Sequence, residues 1–329
     1  MTKLLPPLSC SPILTAREMP ESPFLYSSDN KRYHTLNYYL QNKFGKRVMR
    51  ASLDAGFSCP NIDGRCAIGG CTYCTSGASE FTEKGSITAQ MKREEERIFK
   101  KFGETPLIAY FQAHSNTYAP LEILKEKYEE ALSFPSVVGI SIATRSDCLE
   151  KEKIDYLKEL SERTFLSVEL GLQTVSDKTA EKCNRGHNFD AFRDAFFRLK
   201  EAGIRVSVHI INGLYDETKE DMINTAKVLG KLRPDGVKIH LLHIMKNTVM
   251  EKELEKGIIT PMTYEDYIET VCNQLRYLPK ETVIERITGD GSKENLIAPR
   301  WSIDKIKVLG GIDKYMADND FCQGDLFNI

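Results

Sequence analysis

Residues 59–74 read CPNIDGRCAIGGCTYC and hold four of the nine cysteines of the 329-residue chain. The glycines in this stretch favour a loop that wraps, because glycine adopts positive φ without steric cost. Thiols this dense in sequence bind a metal, form disulfides or carry out redox chemistry. We call residues 59–74 the cysteine loop and expect the rest of the chain to be organised around it.

Three kinds of site fit the cysteine loop taken alone. A structural zinc ion accepts four thiolates, although such sites usually pair two short spacings and this chain has a single C-x-x-C, Cys71 to Cys74. A disulfide-linked loop requires an oxidising compartment. An iron–sulfur cluster held by three cysteines would leave one iron open for another ligand. The loop by itself does not separate the cluster from zinc.

The overall composition predicts a soluble globular protein. The net charge is −2 and hydrophobic residues make up 41% of the chain, so there is no general attraction to nucleic acid. No apolar run approaches the ~20 residues that span a membrane. Residues 1–30 predict a loose N-terminal extension rather than a signal peptide. We therefore expect a cytoplasmic protein with reduced thiols and no membrane contact.

One segment departs from this charge balance. Residues 31–50, the basic segment, contain six lysines and arginines, no acidic residue, and several tyrosines and phenylalanines. Cations next to aromatic rings suit phosphates and stacked bases, which makes Lys43, Lys46 and Arg47 candidate RNA contacts. The competing interpretation is a solvent-facing helix whose aromatic side chains pack inward.

Apolar strands alternate with amphipathic helices after the basic segment. Six β/α steps predict a parallel sheet with right-handed crossovers, and no G-x-G-x-x-G opens the first helix. We predict an α/β fold, a partial (β/α)6 TIM-like barrel over residues 31–245, with residues 246–329 adding C-terminal helices and a strand near 282–288 that pack on the barrel. The predicted barrel strands are 47–55, 106–113, 137–145, 165–174, 205–213 and 236–243.

Alternate residues of these strands predict a polar barrel interior. In 165–174, Ser167, Glu169, Gly171 and Gln173 share the face opposite the apolar one. A barrel packed only for stability fills this space with branched apolar side chains, so a polar face predicts a cavity for a charged ligand. A single histidine or glutamate there can also be a hydrogen-bonded core residue. Candidate catalytic groups on these inner faces are His114, His209 and His240.

Together these features resemble the radical S-adenosylmethionine (SAM) superfamily, over residues 30–310. The C-x11-C-x2-C spacing of Cys59, Cys71 and Cys74 is similar to that of the elongator-acetyltransferase-like branch, and most closely to a small bacterial subfamily with a CPN-x-DG…GGC-x-[FY]-C loop. The further matching motifs are AYFQAHSNTYAP (109–120), ATRSD (143–147), VELGLQT (168–174), NRGH (184–187) and HIINGLYDET (209–218).

The resemblance implies a [4Fe–4S] cluster on Cys59, Cys71 and Cys74, with Cys66 not a ligand. SAM would bind the open iron, and its reductive cleavage would give methionine and a 5′-deoxyadenosyl radical. An electron donor such as a flavodoxin or ferredoxin is implied as well. Glu169 would accept hydrogen bonds from the ribose, and Arg185 or Arg145 would pair with the methionyl carboxylate. The full set of implied SAM contacts is Gln112, Asn116, Arg145, Glu169, Gln173, Arg185, Ile211 and Gly213.

Relatives in this branch act on the wobble uridine of tRNA, so the resemblance implies a tRNA-modifying enzyme. For the small subfamily it implies conversion of 5-carboxymethylaminomethyluridine to the aminomethyl form. The tRNA would bind through Lys43, Lys46 and Arg47, in a segment that leads into the first strand and hence towards the cluster. Two alternatives stay open: a radical enzyme acting on a small molecule, similar to coproporphyrinogen oxidase, and a non-enzymatic RNA-binding protein that holds zinc or a cluster.

Overall fold

The computed structural model describes residues 24–75, 85–289 and 293–328. Seven of its nine strands form one parallel sheet in the order β1-β2-β3-β4-β5-β6-β8, and β7 and β9 form a short antiparallel pair. The strands are β1 (Met49–Leu53), β2 (Leu107–Phe111), β3 (Val137–Thr144), β4 (Phe165–Gln173), β5 (Arg205–Asn212), β6 (Gly236–Leu241), β7 (Ile244–Met245), β8 (Val283–Arg286) and β9 (Leu296–Ala298).

Helices connect successive strands of the sheet, and local capping signals fix several of their ends. Thr218 and Asp221 form a reciprocal capping box at the start of α7. Helix α2 begins after Ser86, whose side chain accepts a hydrogen bond from the Ala89 amide, and ends at Gly103. The helices are α1 (Leu36–Phe44), α2 (Ile87–Phe102), α3 (Leu121–Leu132), α4 (Lys151–Arg163), α5 (Asp177–Lys182), α6 (Phe189–Glu201), α7 (Lys219–Leu232), α8 (Val249–Glu255), α9 (Tyr264–Arg276) and α10 (Lys305–Asp318).

The main core lies between the outer face of the sheet and the helices. Val168 and Leu170 of β4 are fully buried in the same apolar cluster as Phe192 and Phe196 of α6. Because side chains alternate along a strand, the intervening Glu169 points to the concave inner face. The alternation predicted from the sequence is therefore present, with a polar inner face.

The predicted α/β partial TIM-like barrel is confirmed, with one strand placed differently. The sequence assigns the strand near residues 282–288 to the elements that pack on the barrel. The structure instead adds β8 to the sheet beside β6, where Gly236 pairs with Val283 and Lys238 with Arg286. Helix α9 provides the crossover that makes this pairing parallel. The predicted boundary at residue 245 stays a prediction, and most of the predicted N-terminal extension, residues 1–23, lies outside the described residues.

All strands of the main sheet run in one direction, so their carboxyl ends lie at one edge. The cysteine loop follows β1 at this edge, whereas α1 and residues 45–48 precede β1 and lie at the opposite edge. Helix α1 packs there against Val138 and Phe165, which stand at the starts of β3 and β4. Among the described residues, none of the helices combines the length and apolar character that a membrane crossing requires.

Candidate active site

A cavity of about 160 Å³ opens beside the cysteine loop at the carboxyl ends of β3, β4 and β5. It is enclosed by the cysteine loop on one side and by the inner face of the sheet on the other. Most of the site residues predicted from the sequence meet here. Those that line the cavity are Cys59, Cys71, Cys74, His114, Arg145, Glu169, Gln173, Arg185 and His209.

Five predicted site residues, Gln112, Asn116, Ile211, Gly213 and His240, are not among the described residues that line this cavity. The Asn116 side-chain amide donates to the carbonyls of residues 113 and 143, at 2.7 and 3.0 Å, and so fixes the loop after β2. The Gly213 backbone amide donates a hydrogen bond to the Met222 sulfur at 3.2 Å. Their roles towards SAM stay predictions.

Asparagines outside the predicted set hold the cysteine loop in place. The Asn61 amide donates to the carbonyl of Asn184 at 2.6 Å and to the Cys71 sulfur at 3.4 Å. Asn184 in turn donates to the carbonyl of Gly70 at 2.8 Å. The CPN and NRGH motifs are thus bonded to each other. Both asparagines lie inside the quoted motifs, but sequence spacing does not reveal that they meet.

The donor set of this loop fits an iron–sulfur cluster. We call Cys59, Cys71 and Cys74 the cavity cysteines. In the described part of the chain, no three histidine, cysteine or acidic side chains converge on a single ion, as a zinc site would need. A cluster instead requires each thiolate to bind a different iron. The Arg185 guanidinium lies 3.8 Å from the Cys71 sulfur and supplies the kind of positive neighbour that stabilises thiolate ligands.

Cys66 is turned away from the cavity. It is exposed, and its thiol donates to Asp147 at 3.4 Å. Burial and the negative charge of Asp147 raise the pKa of the Cys66 thiol. This placement agrees with a three-cysteine set, whose assignment stays a prediction.

The two arginines predicted to pair with the SAM carboxylate have different surroundings. Arg145 forms a bidentate ion pair with Asp147, in which its Nε and Nη2 donate at 2.8 and 2.7 Å. Its Nη1 donates to the backbone carbonyl of Arg185 at 2.9 Å. Arg185 donates to the carbonyl of Gly171 at 2.6 Å, while its buried Nε has no hydrogen-bond partner. A buried donor without a partner is costly, so Arg185 is the better candidate for an anionic ligand.

Glu169 is buried under several donors. Its carboxylate accepts hydrogen bonds from Ser141 at 2.7 Å, from His209 at 2.9 Å and from Lys238, and Arg50 lies 3.4 Å away. Burial by itself would raise the pKa of Glu169, but Lys238 and Arg50 outweigh it and hold this pKa well below its usual range. The implied ribose contact stays a prediction and would be made in addition to these partners.

A second buried carboxylate, that of Glu285, links the two edge strands of the curled sheet. Glu285 of β8 accepts hydrogen bonds from Arg50 of β1 at 2.6 Å and from Arg205 of β5 at 2.8 Å. Since β1 and β8 stand at opposite ends of the strand order, these bonds join the two edges of the curled sheet. The sequence shows polar residues on the inner faces, but nothing in it pairs Arg50 with Glu285.

The basic segment lies away from the cavity. Lys43, Lys46 and Arg47 are exposed at the amino ends of the strands, and the Tyr39 and Phe44 rings pack on Phe165. The expectation that this segment lies next to the cysteine loop is wrong, because a strand carries its two flanking segments to opposite edges of a sheet. The contact with RNA itself stays a prediction.

Known protein families match both halves of the barrel. The family model for the Radical SAM superfamily matches residues 61–229, and that for the Radical_SAM C-terminal domain matches residues 234–318. The chain belongs to the radical SAM superfamily. It is therefore an enzyme that uses a [4Fe–4S] cluster and SAM, and the non-enzymatic alternative is set aside.

Individual relatives of this radical SAM enzyme match between 46% and 94% of the chain. Protein YtqA of Bacillus subtilis (strain 168) is 47% identical over 312 residues, 94% of this chain and 97% of the relative. A tRNA uridine(34) acetyltransferase of Methanocaldococcus jannaschii is 31% identical over 160 residues, 46% of this chain and 28% of that protein. Among solved structures, Elp3 of Methanocaldococcus infernus with an N-terminal deletion shares the fold, at TM-score 0.66 and 18% identity over 84% of this chain and 64% of that one. These relatives agree with the predicted elongator-like branch.

Proposed function

We propose that this radical SAM enzyme modifies the wobble uridine of tRNA, converting a 5-carboxymethylaminomethyl group to the aminomethyl group. The observation that carries the proposal is the sequence similarity to a tRNA uridine(34) acetyltransferase, whose name states that it acts on this nucleotide. That similarity covers 46% of this chain, within the barrel that carries the cysteine loop and the cavity.

The substrate suits the chemistry. When bound, the cluster and SAM supply the radical that removes a hydrogen atom from a substrate carbon. The methylene between the amine and the carboxylate is a favourable carbon for this step, because both neighbours stabilise the radical that results. Loss of one further electron, which the oxidised cluster could accept, would turn this radical into an imine. Addition of water would then break the carbon–nitrogen bond, release the two carbons as glyoxylate and leave the aminomethyl group. The three cavity cysteines would hold the cluster, and Arg185 with its unpartnered Nε would hold a carboxylate of the cofactor.

The site also favours a base that has left its stack. The cavity lies between the cysteine loop and the inner face of the sheet, and a base must reach into this space to meet the radical. Enzymes that modify a base reach it by turning it out of the stack or by acting on a single strand. A wobble base in an anticodon loop is single-stranded. Lys43, Lys46 and Arg47 would then contact a part of the tRNA away from the anticodon.

The test compares modified nucleosides of total tRNA from cells with and without the gene. We expect loss of the gene to remove the aminomethyl derivatives and to raise the amount of 5-carboxymethylaminomethyluridine, as measured by mass spectrometry of digested tRNA. A gene encoding Cys66→Ala should restore the normal profile, whereas one encoding Cys71→Ala should not. An unchanged profile in the deleted strain, with SAM cleavage intact in the purified enzyme, would refute the proposed substrate.

A further inference from the structure

His209 of β5 connects the cavity to a buried carboxylate. Its side chain lines the cavity beside the cysteine loop and keeps 17% of its surface exposed. The Nε2 atom of its imidazole lies 2.9 Å from a carboxylate oxygen of Glu169. Strand register explains this contact, because His209 pairs with Gly171 of β4 and Glu169 stands two residues earlier on the same face of that strand.

The Glu169 carboxylate decides which nitrogen of His209 carries the proton. Lys238 and Arg50 hold the pKa of Glu169 well below its usual range, so this carboxylate is ionised at neutral pH and only accepts hydrogen bonds. The Nε2 atom of His209 is then the donor, and the lone pair of the neutral ring is on Nδ1. In the parts of the chain that the structure describes, no hydrogen bond reaches this Nδ1 atom. His209 therefore offers the cavity a proton acceptor.

The groups around His209 keep its imidazole neutral at pH 7. Burial and the positive charge of Lys238 lower its pKa below the ordinary value of 6.5, while Glu169 and Glu285 act in the opposite direction. The His240 ring lies 5.3 Å away, centroid to centroid, and its own pKa is held well below the usual range, so it adds no charge. A neutral imidazole bonded to a buried carboxylate is an arrangement with which enzymes accept a proton. The other titratable groups that line the cavity are Tyr73, His114, Arg145, Arg185 and the cavity cysteines.

The proposed substrate carries a proton that has to be removed. The nitrogen of the 5-carboxymethylaminomethyl group is a secondary amine, and alkyl amines are protonated at pH 7. A protonated nitrogen has no lone pair with which to stabilise a radical on the neighbouring methylene carbon. The proposed reaction therefore needs a base beside this nitrogen before the hydrogen atom is removed.

We propose that His209 is the catalytic base of this enzyme and takes a proton from the ammonium group of the substrate at its Nδ1 atom. The identity of that ammonium group rests on the proposed function. Glu169 is a positioning residue in this proposal, because its carboxylate fixes the tautomer of His209 and stabilises the imidazolium that forms.

The proton and electron transfers balance. The substrate nitrogen keeps its electron pair when the proton moves to His209, and the methylene then loses a hydrogen atom to the 5′-deoxyadenosyl radical. The carbon radical loses one electron to the oxidised cluster and becomes a protonated imine. Water adds to the imine carbon, and both protons of this water pass to solvent by the time that glyoxylate is released. His209 returns its proton to the nitrogen as the carbon–nitrogen bond breaks.

The main test replaces His209 with glutamine, whose amide nitrogen can keep the hydrogen bond to Glu169 but whose side chain cannot take up a proton. The measurement is the single-turnover rate of aminomethyl formation by the cluster-loaded enzyme on tRNA that carries the carboxymethylaminomethyl group. At pH 7 we expect the rate of His209→Gln to be about 100-fold lower, as for loss of a proton-transferring group. The matched control is His243→Gln, which should leave the rate unchanged. His243 follows β6 and is not among the described residues that line the cavity.

The pH dependence of this rate separates a base from a structural residue. In the parent, the rate should fall only as the pH drops through the folded-state pKa of His209, which lies below 6.5, and should be level from about pH 7 to pH 9. In His209→Gln it should rise about tenfold per pH unit over the same range, because the fraction of substrate present as the free amine rises in this way. A rate within about threefold of the parent at pH 7, or a deficit that stays constant with pH, would overturn the proposal.

An RNA-free measurement separates this proposal from the proposed function. Nuclear magnetic resonance of cluster-loaded protein with nitrogen-labelled histidines reports which imidazole nitrogen carries the proton, and the signals that vanish in His209→Gln belong to His209. A proton on Nε2 and none on Nδ1 at pH 7 would support the proposal. A proton on Nδ1, or a charged ring, would overturn it even if tRNA is modified. If the enzyme modifies no tRNA although Nδ1 carries no proton, the proposed function fails alone and His209 is still a proton acceptor of the cavity.

Discussion

Replacing Glu169 with glutamine removes the anion on which Arg50, His209 and Lys238 converge. The Glu169 side chain is fully buried and Lys238 is 1% exposed, so water cannot take over the lost charge. Removing one partner of a buried ion pair costs about 3–5 kcal/mol. Burial already lowers the pKa of Lys238 to about 7, with Arg50 contributing. Lys238 can therefore lose its proton in the variant, and we expect a cost of about 3 kcal/mol at neutral pH.

The pH dependence of this cost has a definite sign. The pKa of Glu169 in the folded protein is held below its ordinary value of 4.5. Its stabilising contribution is therefore complete above the unfolded-state pKa and is lost as the pH falls through the folded-state pKa. The contribution of Glu169 to the difference in unfolding free energy between the parent and Glu169→Gln should thus be complete above about pH 4.5 and shrink below it.

Urea unfolding of anaerobically prepared, cluster-loaded protein, followed by circular dichroism, measures this difference. Asp318→Asn breaks the exposed Lys314–Asp318 pair and is the control, which should barely move the unfolding midpoint. Adding Lys238→Met to Glu169→Gln should recover part of the loss, because the unpaired cation is removed. A loss below about 1 kcal/mol at pH 7, or one that does not shrink in acid, would refute the ion-pair reasoning.

Three further predictions concern the cofactors and the RNA. Alanine at any cavity cysteine should abolish the visible absorbance of the cluster, whereas Cys66→Ala should keep it; loss of the cluster in Cys66→Ala would overturn the three-cysteine assignment. Arg185→Ala should keep the cluster and weaken SAM binding about 5- to 150-fold in equilibrium dialysis, with exposed Arg193→Ala as the control, and equal affinities would exclude this contact. Reversing the charge of the three exposed cations in residues 43–47 should leave RNA-free SAM cleavage unchanged and reduce the salt dependence of tRNA binding; an unaltered salt slope would exclude the segment as an RNA contact.

Much of the fold can be predicted from local patterns. The alternation of strands and helices depends on residues close in sequence, and so does the period-two placement of Glu169 and His209 on the inner face. The spacing of the cavity cysteines within one loop is local as well. The amino-acid sequence alone therefore determines these features, and with them the family that the chain resembles.

The tertiary structure decides which distant residues meet. Arg50 reaches Glu285 only because a seven-stranded sheet curls until its first and last strands approach, and no local pattern encodes that curvature. The same holds for Arg145, whose guanidinium is bound to Asp147, while Arg185 keeps an unpartnered nitrogen. Adjacency in sequence wrongly suggests that the basic segment lies next to the cluster in space. A parallel strand separates its two ends by its own length, and only the assembled sheet shows which end carries the site.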